Sequence, residues 1–254
     1  MPINFHTIPL FKAYSNRDLE LIFKSINIEI KLINKYLDLD MFPLSKLIRE
    51  FSEELKLVSK ANVEIEENYA SNNKSLLEMI TYLQIHDLIS QKLEHIHSIH
   101  KGVIQDLVEL NNVEDVNQTS YLSILLEIIQ MNKEQLIVIN KEYDEAVFFI
   151  KGQINEIESK IRTGSAINPK PYFSYNVEFE KVVIKIIKSL KEVENNVENG
   201  FNKVIDNKEK LYMISKIFTM DSERMVLDSV INGDNIENAI RGFKNQNSNS
   251  IELF

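Results

Sequence analysis

The sequence predicts an all-α protein: an elongated antiparallel four-helix bundle or coiled coil with short flanking helices. Three observations carry this. Turn formers are scarce, with 6 Gly and 5 Pro in 254 residues. The composition, 26% charged and 44% hydrophobic, suits long helices with one apolar face. Apolar residues also recur at three- and four-residue steps over very long stretches, which is the spacing of a helix stripe.

Residues 1–14 hold Pro2, Pro9 and the apolar cluster Ile8, Leu10, Phe11 and Tyr14, an irregular leader expected to pack onto the bundle. Ser15 and Asp18 stand at capping-box spacing, so a first helix starts there. Its face carries Leu19, Ile22, Ile26, Ile30, Ile33 and Leu37. It is expected to stop within residues 38–43, with Pro43 opening the next helix, where its missing N–H costs nothing. A second helical region then covers residues 44–110, with a kink or short break in the polar residues 70–75. Asn111 and Asn112 open a turn running to Thr119.

The third helix has the clearest pattern. Leu122, Leu125, Ile129, Asn132, Leu136, Ile139, Tyr143, Ala146, Ile150, Ile154, Ile157 and Ile161 keep heptad spacing. Asn132 is the polar member of that seam, a residue that fixes register. Gly164 ends the helix, and a loop containing Pro169 and Pro171 follows to Tyr175. The fourth helix starts near Asn176 and uses Val183, Ile187, Leu190, Val193, Val197, Val204, Leu211 and Ile214, weakened at Gly200. Residues 219–223 read as a new helix start and Gly233 as a stop. Residues 1–243 are therefore expected to form one helical domain. Residues 244–254 are a flexible linker rich in Asn, Ser and Gln with a short apolar-acidic tail.

The net charge of −9 argues against nucleic acid or an anionic membrane surface as partner. There is no Cys, so no disulfide or thiol chemistry is available. Neither a signal peptide nor an apolar run long enough to span a membrane is evident, and the expected location is cytoplasmic. Gly-rich phosphate loops, G-x-S-x-G and H-E-x-x-H are absent from the sequence.

The chemistry concentrates in residues 82–96, expected in the middle of a long helix. Ile85, Ile89, Leu93, Ile96, Val103 and Leu107 form its apolar stripe. At about 100° per residue, Asp87 and Gln91 fall on the opposite side, and four-residue spacing makes them neighbours. The run His86-Asp87-Leu88-Ile89-Ser90-Gln91 resembles the Q-D-L-x-x-Q signature of the CheZ family of chemotaxis phosphatases, with His86 where the family usually has Gln. The resemblance is confined to this helix and to the end of the chain.

It implies a phosphatase of two-component signalling. The substrate would be the aspartyl phosphate of a CheY-like response regulator, with Mg2+ held by that regulator and no cofactor of the phosphatase's own. Gln91 would orient the hydrolytic water, since an amide offers donor and acceptor without charge. Asp87 would pair with the regulator's active-site Lys. Gln84, Leu88, Glu94 and His95 would touch the regulator around the pair, and Ile251, Glu252, Leu253 and Phe254 would clamp its outer face. Four long helices could close a bundle within one chain, which leaves dimerisation open.

Two other functions stand beside this one. A non-enzymatic helical adaptor would show the same acidic helices. A histidine-phosphotransfer domain would show H-x-x-K-G; Lys101-Gly102 is present, but Ser98 occupies the His position and His97 is about 100° away around the helix. His86, His95, His97 and His100 cluster in sequence, but only His97 and His100 are near neighbours on the helix, so no metal site is expected.

Overall fold

The computed structural model describes residues 15–61, 74, 77–110, 118–164, 178–198 and 208–246. Its helices are α1 (Asn16–Ala61), α2 (Ile85–Leu110), α3 (Gln118–Gly164), α4 (Glu178–Glu198), α5 (Lys208–Ser215), α6 (Asp221–Asn232) and α7 (Ile236–Gln246). Residues 77–83 are also helical, and Gln84 makes a turn before α2. There is no strand among the described residues. None of their helices is long and apolar enough to cross a membrane. The leader over residues 1–14, most of the expected kink over 70–75, Gly200 and the tail Ile251, Glu252, Leu253 and Phe254 lie outside the described residues.

Local chemistry sets several boundaries. The Ser15 hydroxyl accepts the Asp18 N–H at 3.2 Å, and the Asp18 carboxylate accepts the Ser15 N–H at 3.2 Å. This reciprocal capping starts α1 where the sequence places it. At α6 the Glu223 carboxylate accepts the Met220 N–H at 3.3 Å, and Gly233 ends the helix at φ 70°, a conformation that favours glycine. Asn235 then caps α7 by accepting the Asn238 N–H at 3.1 Å. The last three residues of α7 are the first three of the expected linker.

The expected break at residues 38–43 does not occur: α1 runs through Pro43 to Ala61. An interior proline removes one backbone hydrogen bond and costs roughly 3 kcal/mol. The apolar stripe continues across it, with Leu37, Met41 and Ile48 all buried. Each such side chain contributes about 1.5–3 kcal/mol by leaving water, which outweighs the lost bond. The face is also rotated slightly from the expected one, since Phe23 is buried and Ile22 only partly.

Contacts divide the chain into two compact units. The first comprises residues 1–30, 92–137 and 183–254. Its core takes Leu19, Phe23 and Ile26 from α1, Leu93, Ile96 and Val103 from α2, Leu125 and Ile129 from α3, and Leu190 and Val193 from α4. Several polar groups are buried in it. Asn132 and His100 have no exposed surface, and the Asn132 side-chain N–H donates to His100 Nε2 at 2.8 Å. Phe23 meets the His100 ring edge-on at 5.0 Å. Lys133 pairs with Glu194, joining α3 to α4.

The second unit comprises residues 31–91 and 138–182. Ile33, Leu37, Ile89, Ile139, Tyr143, Ile150 and Phe179 are among its buried residues. Tyr143 stacks on Phe179 at 4.0 Å, and Tyr82 on Phe149 at 3.9 Å. Along α3 the heptad positions from Leu125 to Ile150 are buried without exception, so the apolar stripe is the face that packs.

Candidate functional site

The Asp87–Gln91 pair lies at the start of α2, in the second unit. It is not mid-helix as expected. The helical residues 77–83 end at Gln84, whose N–H reaches the Thr81 carbonyl at 3.2 Å. The Gln84 carbonyl in turn accepts the N–H groups of Asp87 at 3.1 Å and Leu88 at 3.3 Å. These bonds restart the helix, and Asp87 falls in its first turn. The positive end of the helix dipole favours a carboxylate there by about 0.3–1 kcal/mol. Periodicity could not show the turn, because Met79 and Ile89 keep the apolar stripe in phase across it.

Asp87 is 79% exposed. Gln91 is exposed, and its amide makes no hydrogen bond with another described residue. Four-residue spacing in a helix puts the two Cβ atoms roughly 5–6 Å apart. Gln84 is exposed beside them and Leu88 half-buried.

Two further residues join the pair. His86 Nδ1 lies 3.0 Å from Asp87 Oδ1 and His86 Nε2 lies 2.8 Å from Asp38 Oδ1, both within hydrogen-bond distance. The ring is one-quarter exposed, and the Asp38 carboxylate is largely exposed on α1. Both bonds are made together only when both ring nitrogens carry hydrogen. Below them Ser90 donates to Asn34 at 3.5 Å, a second link from α2 to α1. Asp38 was not legible as a site residue. It is 48 positions from His86, at a point where the sequence signalled only a helix end.

No match to this chain is found among known protein families, curated proteins or solved structures.

The other expected contact residues of this helix, Glu94 and His95, follow Gln91 by three and four positions on α2. Glu94 and His95 belong to the first unit. Glu94 is exposed. His95 is partly buried, and its Nδ1 donates to both oxygens of Glu223, at 2.8 and 3.0 Å. Glu223 is only 1% exposed, and Gln135 donates to its backbone carbonyl at 2.9 Å. Taking a carboxylate out of water is costly unless its oxygens are hydrogen-bonded, and His95 supplies that partner.

His97 is buried, so it is not presented to a phosphoryl donor as the phosphotransfer alternative requires. His100 is buried too, and its pKa is lowered to about 3, first by burial and then by the neighbouring His97. No group of three His, Cys, Asp or Glu that could hold a metal ion occurs among the described residues.

Proposed function

We propose that the protein is a CheZ-like phosphatase acting on the aspartyl phosphate of a CheY-like response regulator. The observation that supports this best is the free amide of Gln91, exposed one helical turn from the exposed Asp87 carboxylate. In this reading Gln91 enters the regulator's site and holds a water in line with the phosphoryl group. The regulator supplies Mg2+ and the phosphorylated Asp, so the phosphatase needs neither nucleophile nor cofactor. Catalysis is then positioning, as with the water-orienting Gln of GTPases. A carboxylate in place of Gln91 would be repelled by the phosphoryl oxygens. Asp87 receives the regulator's active-site Lys.

The same proposal includes a four-helix bundle, which the buried heptad positions of α3 support. It also includes a cytoplasmic location, where such regulators act, and a part for Ile251, Glu252, Leu253 and Phe254 in holding the regulator.

The test is phosphate release from a panel of CheY-like receiver domains charged with acetyl phosphate and Mg2+. The wild type accelerates release from at least one of them. Gln91→Ala abolishes the acceleration and keeps the fold, because an exposed side chain contributes little to stability. Asp87→Ala weakens both binding and rate. If wild type and Gln91→Ala behave alike on every domain, the catalytic reading fails and the adaptor reading replaces it.

A further inference from the structure

The pair that carries the proposed function is not made of two independent surface side chains. Asp87 is tied through one oxygen to His86, and His86 is tied to Asp38 on α1. The other oxygen of Asp87 makes no bond to a described residue, and neither does the Gln91 amide.

An Asp in the first turn of a helix has a competing use. Its short side chain can fold back onto the unsatisfied N–H groups of its own helix end. The His86 bond opposes this by fixing one oxygen beside the ring, so the second oxygen stays available. The protonated ring suits the task because its two N–H groups point in different directions and can serve two carboxylates at once. A Gln in its place carries both N–H groups on one nitrogen, so it can hold Asp87 or reach Asp38 but not span them in the same way. With both ring nitrogens protonated, the Asp38–His86–Asp87 group still carries one net negative charge, so it continues to attract a cation.

We propose that His86 is a positioning residue, anchored by Asp38, that holds the Asp87 carboxylate ready for a partner's ammonium group. The proposal rests on the phosphatase reading for its kinetic consequence. The bridge itself has a test that does not.

An ion pair this exposed contributes little to stability, so His86→Ala leaves the unfolding midpoint nearly unchanged. A residue that only held the fold together would not separate the kinetic constants. A positioning role does: His86→Ala raises KM for the charged receiver domain roughly five- to tenfold and changes kcat less than about twofold. Asp38→Ala moves KM in the same direction by less. His86→Gln, whose N–H groups share a single nitrogen, has a KM between wild type and His86→Ala. The reference is Gln91→Ala, which loses kcat.

The bridge is read in the full chain from the ring 15N signals of His86. These signals shift in both Asp38→Asn and Asp87→Asn. Signals unmoved by either change overturn the inference, even where release still depends on Gln91. So does an unchanged KM in His86→Ala, or a His86→Gln enzyme no better than His86→Ala. Shifted 15N signals with release independent of Gln91 would instead overturn the phosphatase reading, and the positioning role with it.

Discussion

Asn132 donates its side-chain N–H to Nε2 of His100 at 2.8 Å, and neither side chain has any exposed surface. The bond sets the chemical state of both partners. Nε2 must be the unprotonated nitrogen to accept it, so the ring is neutral with its hydrogen on Nδ1. That Nδ1 has no hydrogen-bond partner among the described residues, nor has the Asn132 carbonyl oxygen. A charged ring there would lose the Asn132 bond and sit unpaired between Phe23 and His97.

Acid should therefore unfold the first unit. The His100 pKa falls from its ordinary 6.5 to about 3 on folding. Between those values the unfolded chain binds a proton that the folded chain refuses, so stability declines as pH falls through that window. The contribution is fully present above pH 6.5 and amounts to roughly 4–5 kcal/mol at most. Urea midpoints measured from pH 7 to pH 4 should fall steadily. His100→Gln should flatten that slope, and an equal slope in the variant would remove His100 as its cause.

The two residues should also couple. Asn132→Leu keeps the branched shape but leaves His100 Nε2 buried without a donor, at a cost of about 1–3 kcal/mol. Replacing both by Leu removes the orphaned group and should recover part of the loss. A double-mutant cycle in urea should give an interaction energy on the order of 1 kcal/mol, and strict additivity would mean the bond contributes nothing.

Glu223 supports three partners: His95, the Met220 N–H and, through its carbonyl, Gln135. Glu223→Ala removes two of these and leaves His95 Nδ1 without an acceptor. We expect a loss of about 2–4 kcal/mol. Hydrogen exchange should show the loss first in α6 and α7, which pack on each other in the same unit. Protection in α6 equal to wild type would show that the pair does not hold the helix.

Pro43 is the residue most at odds with its helix. Pro43→Ala restores the missing backbone donor inside α1. It also frees the unfolded chain, which offsets part of the gain. The net effect should be about 1–2 kcal/mol of stabilisation, seen as a higher urea midpoint. A lower midpoint would mean that the proline is needed at that position.

The periodic positions were legible because a helix repeats every 3.6 residues and burial selects one face. Leu125 to Ile150 on α3, Val193 and Val197 on α4, and the Ser15–Asp18 start of α1 follow from the sequence alone. So does the burial of Asn132, the polar member of an apolar seam. Exposure of Asp87 and Gln91 was legible for the same reason, as both lie off the stripe.

What the sequence did not determine depends on residues far apart in the chain. Pro43 reads locally as a helix boundary, yet Met41 and Ile48 keep α1 intact by burying apolar surface. His86 finds Asp38 48 positions away, and His95 finds Glu223 128 positions away. No spacing rule reaches across such distances. Those partners are chosen when helices pack, because a half-buried imidazole or a buried carboxylate must find a hydrogen-bond partner where the fold brings one.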